Sequence, residues 1–170
     1  PGWHAECAAI ALGVHGCAVD ILAGGADLSF PHHAYQAAMV EATTGVGPFA
    51  RARFPVGTVT VDGAKMAKST GNLVLVSDLL GQHTAAAVRL LLLNRPWRQG
   101  WEFHCGDIAA QASQLERLYS AAGRALSSRA GSDALTAALV DDLNVPAALA
   151  IGEESGGEAA RLVLRTLALE

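Results

Sequence analysis

The spacing of apolar residues divides this chain near residue 77. Before it, short apolar runs are broken by glycine and proline; beyond it, apolar positions recur at helical intervals. Ala, Cys, Ile and Leu between Trp3 and Leu12 fall on helix-compatible positions, and Gly13 is placed to end that helix. Cys17 to Ala23, with Val19 and Ile21, suits a buried parallel strand, which Gly24-Gly25 breaks. Pro31 fits the first turn of a helix continuing through Glu41. Phe54 to Val61 alternates around β-branched residues and reads as a strand, with Asp62-Gly63 as its turn.

In the second half, Thr84 can cap a helix from Ala85 to Leu93, and Pro96 stops it. Asp107 to Leu126 places Ile108, Leu115, Leu118, Ala122 and Leu126 along one broad helical face. Ser127 to Ser132 reads as a polar break. Two or three short helices follow, the last set off by Gly156-Gly157. The expected fold is α/β: a partial sheet domain over residues 1–76, then a helical bundle over residues 77–170.

Composition narrows the function classes. The 170 residues are 51% apolar and only 16% charged, enough for a real core and too apolar for a disordered chain. A net charge of −4 argues against a broad nucleic-acid footprint, which needs clustered Lys and Arg. Cys7, Cys17 and Cys105 are an odd number, so reduced thiols and a cytoplasmic setting are expected rather than a disulfide framework. No membrane span and no signal-peptide pattern are legible.

Two groups of residues carry candidate chemistry. Gly24-Gly25-Ala26-Asp27 follows a predicted strand; the glycines let backbone approach a ligand and the aspartate can accept from ribose hydroxyls. Lys65-Met66-Ala67-Lys68-Ser69 puts two ammonium groups on one loop, suited to the negative charge that grows on departing phosphates. Ser69 and Thr70 can add hydroxyl contacts, and Gly71 gives freedom. Taken by spacing alone, the lysines also fit a solvated surface turn. Cys7 likewise reads as a small buried hydrophobe, and His32 as a helix-capping histidine.

Pro1-Gly2-Trp3-His4-Ala5-Glu6-Cys7, Phe30-Pro31-His32-His33 and the lysine loop together resemble the cysteinyl-tRNA synthetase-like family of class I synthetases. Within it they are most similar to the branch that ligates cysteine to glucosaminyl-inositol in mycothiol biosynthesis. Gln36, Tyr35 and Leu73-Val74-Leu75-Val76-Ser77 follow that branch. The resemblance implies the C-terminal half of a Rossmann-like catalytic domain followed by a stem-like bundle. It implies zinc held by Cys7 and His32, a cysteine pocket lined by Trp3, and adenosine held by Gly24, Gly25 and Asp27. ATP phosphates, with Mg2+, would meet Lys65, Lys68 and Ser69. Ala67 stands where the family motif has serine, Gln36 where synthetases have a zinc-binding glutamate, and Pro55 where histidine is usual.

The implied activity is ATP-dependent formation of cysteinyl-adenylate from L-cysteine and transfer to the amine of glucosaminyl-inositol. Transfer to tRNA is the alternative. A third reading, from another class, is a catalytically incomplete remnant that binds a nucleotide or a partner. The family's His-Ile-Gly-His motif and its first zinc cysteine are not in these residues. The chain is therefore expected to need a complementary N-terminal half.

Overall fold

The computed structural model describes residues 2–125 and 129–170, which form two compact units. The first comprises residues 1–58 with Arg98–Trp101; the second comprises Val59–Trp97 with Glu102–Glu170.

In the first unit, helix α1 (Trp3–His15) leads to strand β1 (Val19–Gly25), helix α2 (Ala34–Thr44) and strand β2 (Ala50–Val56). β1 and β2 are parallel, with Val19 opposite Ala50 and Gly24 opposite Pro55. Parallel neighbours need a crossover, and α2 supplies it. Ala8, Ala37, Val40 and Phe49 form the core between α1, α2 and the sheet. Glu41 fastens the return, its Oε1 accepting the Phe49 N–H at 2.8 Å.

Several expected boundaries move. α1 continues through Gly13 and stops at Gly16, which takes the left-handed region (φ 79°). β1 includes Gly24 and Gly25, and it is not buried: Ile21 is 60% exposed, because this sheet has two strands. Pro31 does not open α2. A proline pushes its predecessor toward extended backbone, and Phe30 is extended (φ −140°, ψ 136°). Ser29–His33 consequently forms an irregular turn, and regular helix begins at Ala34. The strand expected over residues 54–61 is interrupted at Gly57, whose missing side chain admits the Gln99 backbone.

The second unit begins with β3 (Val59–Val61) and β4 (Ala64–Lys65), an antiparallel hairpin. Asp62 (φ 52°) and Gly63 (φ 73°) make its turn, as their order suggests. Strand β5 (Trp101–Glu102) flanks β3 on its other edge. The helices are α3 (Val76–Leu80), α4 (Ala85–Leu93), α5 (Asp107–Ala122), α6 (Arg129–Val140), α7 (Val145–Ser155) and α8 (Gly157–Thr166). Thr84 caps α4, accepting from the Ala87 N–H at 3.2 Å. Leu90, Leu115, Leu118, Leu135, Leu149 and Val163 fill one core shared by α4 to α8. Leu126, expected on α5, and Ser127 and Ser128 of the expected polar break lie outside the described residues. The rest of that break is helical: residues 129–132 form the first turn of α6, with Gly131 buried. No described helix is long and apolar enough to cross a membrane.

Candidate functional site

In the first unit, α1 and the Ser29–His33 turn bring four rings together. Trp3 stacks on His32 with centroids 4.0 Å apart and planes inclined by 20°. His4 sits 5.0 Å from His32 and 5.3 Å from Tyr35, centroid to centroid. Trp3 begins α1 and His4 follows it, so both project from the helix's first turn. His32 is the penultimate residue of the irregular turn, which His33 ends, and stands four positions before Gln36.

A short chain of hydrogen bonds runs through this cluster. The Gln36 side-chain nitrogen donates to His32 Nε2 at 2.8 Å. His32 then carries its proton on Nδ1 and donates it to His4 Nδ1 at 2.7 Å. Burial, and secondarily His4, hold the His32 pKa below the ordinary histidine value. His33 is shifted the same way by burial, then by His32 and Arg53. Both imidazoles are therefore neutral near pH 7, as a proton acceptor or a ligand must be.

Cys7 and Gln36 line one open groove of about 310 Å³, together with His15 and Phe49. Trp3 and His32 are in direct contact, and Cys7 is linked to them only through Gln36, which lines its groove and bonds to His32. Their fit to zinc is incomplete. The lone pair on His32 Nε2 is already engaged by Gln36. Among the described residues, no group of three or more His, Cys, Asp or Glu side chains is placed to hold a metal ion. Zinc's tetrahedral shell needs more donors than these two.

Gly24 and Gly25 allow close approach, but to the chain itself. A Cβ on Gly24 would stand 2.7 Å from His33 Cε1, and one on Gly25 would stand 2.5 Å from Asp27 Oδ1. The glycines at the end of β1 therefore seat His33 and the Asp27 carboxylate against bare backbone.

In the second unit, the lysine loop leaves β4 and closes in a single turn over Lys68–Thr70. Lys65, Lys68 and Ser69 are exposed. The exposed Thr70 hydroxyl lies 2.6 Å from Asn72 Oδ1 and 2.8 Å from the Ala67 carbonyl oxygen, either of which can accept its proton. Gly71 (φ 71°) ends the turn in the left-handed region. Glu102 braces the hairpin below: Thr60 Oγ1 donates to Oε2, and the Gly63 N–H donates to Oε1 at 2.9 Å. Those two bonds hold the Glu102 carboxyl below the usual range.

His4, His33 and Asn72 had no expected role from the sequence, and Gln36 was expected only to stand at the family's glutamate position. The doublet His32-His33 and the adjacency of Trp3 and His4 were the available signals. Asn72 sits at the end of the signature string.

Residues 1–113 match the catalytic domain described as tRNA synthetases class I (C). An L-cysteine:1D-myo-inositol 2-amino-2-deoxy-alpha-D-glucopyranoside ligase from Streptomyces griseus is 46% identical over 153 residues, 88% of this chain and 37% of that protein. A cysteine–tRNA ligase from Rhodospirillum rubrum is 43% identical over 154 residues, 88% of this chain and 34% of that protein. This chain thus spans little more than a third of either relative. Among solved structures, the ternary complex of Agrobacterium radiobacter K84 agnB2 LeuRS with tRNA and LeuAMS is similar, at TM-score 0.65 and 19% identity. It covers 88% of this chain and 26% of that one. That likeness concerns the fold, which is the mixed α/β fold of a class I synthetase catalytic domain.

Proposed function

The chain belongs to the class I (C) tRNA synthetase catalytic-domain family, and we propose that it is part of an ATP-dependent cysteine:glucosaminyl-inositol ligase. The stack of Trp3 on His32 carries this reading. It joins the two segments that resemble the cysteine branch, 29 residues apart, at one place. The similarity to the Streptomyces griseus ligase supports the acceptor assignment.

In this reading the carboxylate of L-cysteine attacks the α-phosphate of ATP. The α–β phosphoanhydride bond breaks, and pyrophosphate leaves cysteinyl-adenylate. The amine of glucosaminyl-inositol then attacks the acyl carbon, an amide bond forms, and AMP departs. Lys65 and Lys68 neutralise the pyrophosphate charge, with Mg2+ and a Ser69 contact. Asp27 and the Gly24-Gly25 backbone hold adenosine, and Trp3 lines the cysteine pocket. Cys7 and His32 are our two candidate zinc ligands; the remaining donors would lie outside these residues. We assign the catalytic part to residues 1–76, the stem-like bundle to residues 77–170, and the protein to the cytoplasm.

Cysteine-dependent ATP–pyrophosphate exchange by the intact polypeptide tests the activation step. Exchange with cysteine and not with serine is expected; its absence overturns the reading. Accelerated AMP release on adding glucosaminyl-inositol, and none on adding tRNA, is expected at the second step. The reverse result favours a tRNA-charging enzyme, to which the similarity with the Rhodospirillum rubrum protein points.

A further inference from the structure

One side chain ties the two ends of the lysine loop together. Asn72 Oδ1 accepts the Ala67 N–H at 3.0 Å and the Thr70 hydroxyl at 2.6 Å. Its Nδ2 donates to the Lys65 carbonyl at 3.1 Å and to the Ala64 carbonyl at 3.5 Å. Both ends of the carboxamide are used, and their orientation is fixed by the partners, because a backbone N–H only donates and a backbone carbonyl only accepts. Aspartate would set an anionic oxygen against the Lys65 carbonyl. Leucine would remove all four of these bonds.

The bonds fall on the backbone that carries the cations. One grips the peptide of Lys65 itself, and another grips Ala67, immediately before Lys68. Two further bonds complete the turn: Thr70 N–H to the Ala67 carbonyl at 3.2 Å and Gly71 N–H to the Lys68 carbonyl at 3.3 Å. A loop of exposed lysines with no such tie would sample many directions, and the ordering would oppose each encounter with phosphate. With it, the separation of Lys65 and Lys68 is set before ligand arrives.

We propose that Asn72 is a positioning residue for the cationic loop, fixing the spacing and direction of Lys65 and Lys68 through their backbone. The inference rests on reading those lysines as the phosphate-binding pair. It adds that the loop is preorganised by a carboxamide and works as one unit.

Asn72→Ala removes both ends of the amide and Asn72→Asp keeps only the acceptor. Each is made in the intact protein and followed by two readouts. The first is hydrogen exchange at the Ala67 amide, which needs no activity. We expect protection in the parent protein and roughly tenfold or faster exchange in Asn72→Ala, with the thermal midpoint of the whole protein unchanged. The second is cysteine-dependent ATP–pyrophosphate exchange. Both variants should lose roughly 10- to 100-fold in kcat, with KM for cysteine unchanged. The proposal is overturned if the parent Ala67 amide exchanges as fast as an unbonded one, or if Asn72→Ala keeps the parent kcat. A parent protein with no exchange activity overturns the ligase reading instead; amide protection then still decides whether Asn72 holds the loop.

Discussion

His4 and His32 stand 28 residues apart in sequence and 2.7 Å apart in space. Every hydrogen bond that Asn72 makes, by contrast, reaches no further than eight residues. Both regions hold functional groups in place, but one does so through packing of α1 on α2 and the other through a local turn. Their electrostatics differ as well. His32 is buried and its pKa is held down by that burial, whereas Lys65 and Lys68 are exposed. The imidazole cluster therefore depends on the integrity of the first unit's core. The lysine loop depends on one carboxamide and one hairpin.

The largest effect should come from the loop. Lys65→Ala combined with Lys68→Ala should lower kcat for ATP–pyrophosphate exchange by roughly 100- to 1000-fold, since donors aimed at developing charge act in the transition state. The urea midpoint of the intact protein should not move, because both side chains are exposed. A shifted midpoint would show that the loop is coupled to its core.

His32→Ala should do the opposite and destabilise as well as inactivate. It leaves the Gln36 amide without its acceptor and removes the Trp3 stack, a loss of about 2 kcal/mol readable by urea unfolding. An unchanged midpoint would mean that the cluster is held by α1 and α2 alone.

Gly24→Ala should cost about 1 kcal/mol by crowding the His33 ring. The His33 ring resonances should shift while those of His4 stay in place. Equal movement of both would remove the distinction between the strand-end seat and the imidazole chain.

The smallest effect is on pH dependence. His32 and His33 have folded pKa values below the ordinary 6.5. Below pH 6.5 the unfolded chain therefore binds protons that the native chain refuses. Stability is fully present above that pH and is lost as pH falls from 6.5 through the lower folded values. Comparing unfolding at pH 7.5 and 5.5 should show a decline that is reduced in His32→Gln. An equal decline in both proteins would assign the dependence elsewhere.

Local rules made much of the fold legible. The Asp62-Gly63 hairpin, the Thr84 cap and the amphipathic run beginning at Asp107 each follow from chemistry within a few residues. The same holds for the loop: Lys65, Lys68 and Ser69 were recognisable as a string. The departures lie where a neighbour distant in sequence decides. The strand expected through Gly57 gives way there to the Gln99 backbone.

For the candidate site, the sequence by itself determined which side chains are available: a tryptophan and a thiol near one end, an imidazole doublet, and two cations on a glycine-terminated turn. It also set their local backbone, since propensity, proline geometry and turn preferences act over a few residues. Only the tertiary structure decided that His4 bonds to one nitrogen of His32, that Gln36 occupies the other, and that Gly24 makes room for His33. Those outcomes depend on how α1, β1 and α2 pack. Packing is a property of side chains far apart in the chain, so no window of the sequence contains it.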